Sequence, residues 1–71
     1  MEVVLLKVWV YDIKEKTIIN TFNDIKKIIK RPIIDNWGEE KLYITLISES
    51  GYSESYPIEE VEILTNAYKN L

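Results

Sequence analysis

Phe22-Asn23-Asp24-Ile25-Lys26-Lys27-Ile28-Ile29-Lys30-Arg31 can be read in two ways, and the fold class turns on which is taken. Phe22, Ile25 and Ile28/Ile29 recur at helical spacing. Thr21 is placed to cap such a helix, with Asp24 three residues on as a weak capping box. Lys30 and Arg31 suit a helix C-terminus, and Pro32 would stop it. The competing reading makes each apolar-x-x-apolar piece a single 3₁₀ turn leading into a strand.

On the N-terminal side, Glu2 to Tyr11 is the longest apolar run and is rich in β-branched and aromatic residues, which fit a pleated sheet. Period two places Leu6, Val8 and Val10 on one face and Leu5, Trp9 and Tyr11 on the other. Both faces are apolar, as in a central strand. Residues 12–16 form a polar connection to a second strand over 17–21. On the C-terminal side, residues 35–40 make a turn around Gly38, and 41–48 alternate as a strand. Residues 49–51 turn the chain into a hairpin partner over 52–56.

The last segment repeats the ambiguity. As a helix, Pro57 takes the first position, Glu59 and Glu60 meet its positive end, and Ile58, Val61, Leu64, Tyr68 and Leu71 form a stripe. As a strand, Val61 and Ile63 alternate after a tight turn. A shift of 36 lays Leu6, Val8 and Val10 onto Leu42, Ile44 and Leu46, and Phe22, Ile25 and Ile28 onto Ile58, Val61 and Leu64, which suggests an internal duplication. The expected architecture is α+β, a single domain over 1–71 with a four-stranded, mostly antiparallel sheet covered by one or two short helices in the order ββαββα. The alternative is a small all-β barrel.

Composition narrows the chemistry. The 71 residues include no cysteine and no histidine, which removes the two commonest transition-metal ligand types and the commonest general base. Ser48, Ser50, Ser53 and Ser55 lie around the second hairpin as turn and strand residues, and Gly38 and Gly51 are too isolated to cradle a phosphate. The sequence is therefore read as non-enzymatic, with no cofactor and no metal. Asp35, Asn36, Glu39 and Glu40 gather oxygen ligands without the spacing of an EF-hand loop. Neither a signal peptide nor an uncharged run of membrane-spanning length is visible, so the expected setting is cytoplasmic, with no membrane. Formal net charge is −3. It divides unevenly: residues 1–36 carry seven Lys/Arg against five Asp/Glu, and residues 37–71 carry two against seven.

Two binding surfaces follow. If helices cover the Leu6/Val8/Val10 face, then Leu5, Trp9, Tyr11, Tyr43 and Ile47 share the opposite face. An apolar patch of that kind marks a protein interface with aromatic anchors. Glu54, Glu59, Glu60 and Glu62 would add an acidic rim suited to a basic protein partner, and the expected assembly is a homodimer in which a second copy of the chain covers the patch. The alternative is single-stranded nucleic acid held by Lys26, Lys27, Lys30 and Arg31, against which the acidic total and the single arginine weigh. A third reading is a structural or subunit domain with no separate activity.

Two resemblances add to this. Tyr56-Pro57-Ile58-Glu59-Glu60-Val61-Glu62-Ile63-Leu64 resembles the end of an SH3-like barrel, where a proline and a short 3₁₀ turn precede a last strand bearing Val-Glu. The whole chain, compact, acidic, isoleucine-rich and with lysine over arginine, resembles in style the accessory proteins of phages and prophages from A+T-rich bacteria. That resemblance implies an inhibitor or modulator of a host protein and transfers no site residue.

Overall fold

The computed structural model describes residues 5–66 and contains no helix among them. Five strands, β1 (Leu6–Asp12), β2 (Thr17–Ile34), β3 (Glu40–Ser48), β4 (Ser53–Pro57) and β5 (Val61–Thr65), form one sheet in the order β4-β3-β2-β1-β5. Every pairing is antiparallel. The α+β expectation is therefore overturned: residues 22–31 lie inside an 18-residue strand, and residues 57–66 are a turn followed by a strand. Tyr68 and Leu71, invoked for a C-terminal helical stripe, lie outside the described residues.

The geometry of β2 explains the error. Eighteen extended residues would reach about 60 Å, yet the longest dimension of the molecule is 43 Å, so the strand must bend. Its pairing shows where. Between Val10↔Asn20 and Tyr11↔Ile18, β1 advances one residue and β2 two; between Val8↔Phe22 and Leu6↔Ile25, β1 advances two and β2 three. Against β3, the step from Ile25↔Ser48 to Lys27↔Ile47 again gives β2 one residue more. All three register shifts put the surplus residue on β2, and such bulges bend a strand and increase its twist.

Two of the shifts separate Phe22, Ile25 and Ile28. One extra residue in each interval turns the alternation of period two into a spacing of three, so all three side chains reach the same side. Phe22 is opposite Val8, Ile25 opposite Leu6 and Ser48, and Ile28 opposite Leu46. The helix-like spacing is the imprint of bulges.

Bending brings the two halves of the sheet together around one core. Val8, Val10, Ile25, Ile44, Leu46 and Val61 are buried, with Leu6, Phe22, Ile28, Tyr56 and Ile63 packed against them. The Asn20 amide on β2 donates to the Tyr56 hydroxyl on β4 across this core, at 3.1 Å. Burial raises the Tyr56 pKa above the usual tyrosine range, the Asn20 amide opposes the shift, and the Glu54 carboxylate adds to it. The turn at 58–60 is tied on both sides: Ile58 N–H donates to the Leu42 carbonyl at 3.0 Å, and Ile13 N–H donates to the Glu60 carbonyl at 3.1 Å. No buried side-chain polar atom among the described residues lacks a partner.

The 36-residue correspondence is not reproduced as a structural repeat. Val8/Val10 and Ile44/Leu46 do play matching core roles, but β2 has 18 residues and β4 has five. Phe22, Ile25 and Ile28 share one strand, whereas Ile58 sits in a turn, and Leu64 pairs with Trp9 on the face away from the core.

Candidate functional site

Burial of Val8 and Val10 forces Trp9 and Tyr11 onto the outer face of the sheet. There Trp9 stands between Thr21 of β2 and Leu64 of β5, and Tyr11 between Ile18 and Glu62. Both rings are half-buried, while Ile18 and Leu64 are 43% and 41% exposed. The Lys7 ammonium lies 5.2 Å from the centre of the Trp9 ring, a cation–π distance. The patch is thus an apolar strip across three strands, flanked by Lys7 and Glu62. Ile18 and Leu64 escaped the sequence reading because their place depends on strand pairing.

Tyr43 and Ile47 are not part of that strip. Tyr43 faces Arg31 and Ile47 faces Lys27, whereas Trp9 faces Thr21. Ten residues of β2, on the order of 30 Å of strand, separate the Trp9 and Tyr43 positions. The acidic rim is likewise divided: Glu62 borders Tyr11, Glu59 and Glu60 occupy the exposed 58–60 turn, and Glu54 lies on β4, at the other edge of the strand order. The Tyr52 hydroxyl donates to Glu54 Oε2 at 2.8 Å, and this bond to a carboxylate is the main cause that raises the Tyr52 pKa.

The Tyr43 region forms a second outer face. Alternation groups Lys27, Ile29, Arg31, Lys41, Tyr43 and Ile47 there, around a Thr45–Ser55 hydroxyl pair at 2.8 Å. Three cations occupy this face, and the acids of the paired segments, Glu40 and Glu54, alternate onto the other. The basic cluster proposed at 26–31 is split as well: Lys27 and Arg31 belong here, Lys30 pairs with Ile44 on the core-side face, and Lys26 sits at a register shift.

The third feature is the hairpin arm formed by the end of β2 and the start of β3. Trp37 at its tip is 87% exposed, Ile34 71% and Leu42 45%. The tip is firmly built. Asp35 Oδ1 accepts the N–H groups of Trp37 and Glu39 at 2.9 and 2.8 Å, Asp35 N–H donates to the Glu39 carbonyl at 2.9 Å, and Gly38 turns the chain at φ +77°. Beside the arm, Leu42 and Ile58 with Glu39, Glu40, Lys41 and Glu59 line an open groove of about 230 Å³. Exposed at the arm tip, Trp37 does not cover the Trp9 face.

The oxygen-rich loop at 35–40 commits Asp35 to the turn, and no group of three or more potential metal-ligating side chains occurs among the described residues. Ser48 and Ser50 hydroxyls bond each other at 2.9 Å, and Ser48 Oγ accepts the Tyr52 N–H at 3.0 Å, so these serines organise the β3–β4 turn. No helix of the described residues is long and apolar enough to cross a membrane. No family model matches the chain, and comparison with curated proteins and with solved structures gives no match either.

Proposed function

We propose that this chain is a small non-enzymatic protein-binding module whose primary contact is the outer strip of Trp9, Tyr11, Ile18 and Leu64. The observation that carries the reading is the adjacency of two exposed aliphatic side chains with two aromatic ones across β2, β1 and β5. Apolar contact of this kind supplies affinity, and aromatic residues are the usual anchors. Glu62 beside Tyr11, with Glu59 and Glu60 in the adjoining turn, favours a partner that is basic around an apolar centre. Glu54, Tyr43 and Ile47 take no part in this site. The reading extends to an accessory inhibitor or modulator of the kind the phage-like composition suggests. The 56–64 segment, in which Pro57 closes β4 and a turn leads to Val61, keeps an SH3-like barrel as the proposed fold relationship.

The test is a comparison of wild type with Leu64→Glu as bait, followed by calorimetry with each purified partner. Leu64 is exposed, so the charge should leave the fold intact. A partner retained by wild type and lost by the variant, with affinity falling at least tenfold, supports the reading. Equal binding by both proteins would sink it.

The acid-free Tyr43 face favours a second reading, single-stranded nucleic acid. Lys27, Arg31 and Lys41 would neutralise phosphates, and Tyr43 would offer a stacking surface. Three phosphate contacts predict a slope of about −2 in log K against log salt. Fluorescence anisotropy with labelled oligothymidylate, for wild type and for the triple Lys27→Gln, Arg31→Gln, Lys41→Gln variant, decides it. Salt-independent or variant-insensitive binding removes this reading.

A further inference from the structure

We infer that the hairpin arm is a self-association surface, on which two copies of the chain pack arm against arm in antiparallel fashion about a two-fold axis. The argument begins with the side of the arm continuous with the core. Moving outward along that side, the β2–β3 pairs are Lys30↔Ile44, Pro32↔Leu42 and Ile34↔Glu40. Ile44 is covered by the protein's own core, whereas Leu42, Pro32 and Ile34 lie beyond it and meet water. Trp37 adds a nearly bare indole at the tip. The core face therefore runs off the end of the body as an uncovered apolar ledge, held out on a turn that Asp35 has already ordered. An ordered turn lowers the entropy lost when such a surface is covered.

Charge says what the cover is. On that same side Glu40 stands at the tip end, level with Ile34, and Lys30 at the stem end, both charges exposed, with the Pro32–Leu42 pair between them. The wider arm repeats the pattern: Asp35, Glu39 and Glu40 cluster at the tip, while Lys30 and Arg31 occupy the stem and Lys41 follows Glu40. A parallel arrangement would oppose like charges. An antiparallel two-fold centred on the Pro32–Leu42 pair sets Glu40 of each copy against Lys30 of the other, two identical ion pairs flanking one apolar contact. This is the self-complementarity that an isologous interface requires. The indole of each tip then reaches the stem of the other copy, where the Lys30 ammonium and the aliphatic part of its chain are available. The surface is distinct from the Trp9 strip, so either proposal can fail without the other.

The arm is narrow and belongs with the small, weak interfaces, so mass must be followed by light scattering from about 10 μM to about 1 mM. Wild type should rise toward twice the monomer mass. Trp37→Ala, which removes an exposed side chain, should stay monomeric over the whole range. Lys30→Glu and Glu40→Lys should each weaken association at least tenfold, and the double exchange should restore it, because both new pairs are again of opposite sign. With Trp9→Phe, Trp37 becomes the sole tryptophan, and its emission should shift to the blue as concentration rises. A wild-type chain that remains monomeric up to 1 mM overturns the inference, and so does a dimer indifferent to Trp37→Ala. A double exchange that fails to recover what the single exchanges lose overturns the antiparallel arrangement.

Discussion

The middle of β2 and its hairpin end are made of the same kinds of residue and meet opposite fates. Toward β1, the strand carries Phe22 and Ile25 into a core where Val8 and Val10 have no exposed surface. Toward the hairpin tip, the same strand carries Pro32 and Ile34 past the last covering side chain and into water. Composition does not separate the two regions; coverage does, and coverage is set by where the strand bends. Isoleucine at position 25 is structural, whereas isoleucine at 34 is available for contact.

The sharpest test of that contrast is truncation in the covered region. Leu46→Ala should cost about 2–5 kcal/mol, read from chemical denaturation. A loss below about 1 kcal/mol would mean that the core is not where the burial places it. The Tyr56 site should respond more modestly, and in a pH-dependent way. Tyr56→Phe strands the Asn20 amide and should cost about 1 kcal/mol at neutral pH. Because burial raises the Tyr56 pKa in the folded state, the unfolded chain releases this proton first, near its ordinary value of about 10. Stability from this hydroxyl is thus complete below about pH 10 and is lost as pH rises through the folded value. Denaturation midpoints should therefore converge between wild type and variant above about pH 10, and a constant gap would refute the assignment.

The turn at the arm tip should be comparably sensitive. At Gly38 a Cβ would meet nothing within 4 Å, yet φ is +77°, so Gly38→Ala should cost about 1–2 kcal/mol from backbone strain alone. Full tolerance would show that the tip relaxes. The smallest expected effect is Trp37→Ala, within about 0.5 kcal/mol of wild type when monomeric. A larger loss would show that the arm is supported by its own indole, and the contrast between covered and uncovered regions would weaken.

Much of this could be read from the letters, and the failures share one cause. The β1 alternation, the β3 strand, the three hairpin turns and the core role of Val8, Val10, Ile44 and Leu46 all follow from local pattern. At residues 13–16 the turn forms without Asn-Gly, because Asp12 Oδ1 accepts the Glu15 N–H at 2.8 Å and Lys16 takes the left-handed conformation at φ 56°. Residues 22–31 misled because a bulge every third residue imitates one face of a helix, and a bulge is defined by the partner strand, which no local window contains. The binding surface was half legible for the same reason. Trp9 and Tyr11 fall outside by simple alternation, but Tyr43 and Ile47 are set apart from them by the register along β2, opposite Arg31 and Lys27 rather than Thr21, and no local pattern contains that register.

The surplus residues of β2 also govern how its gene can change. Loss of the codon for Lys26 would bring Ile25, Lys27 and Ile28 back to plain alternation, so every later side chain would keep its side while the curvature at that point disappeared. Loss of the codon for Ile29 would send every later residue of the strand to the wrong side. The first deletion should yield a flatter, stickier protein and the second no native protein at all.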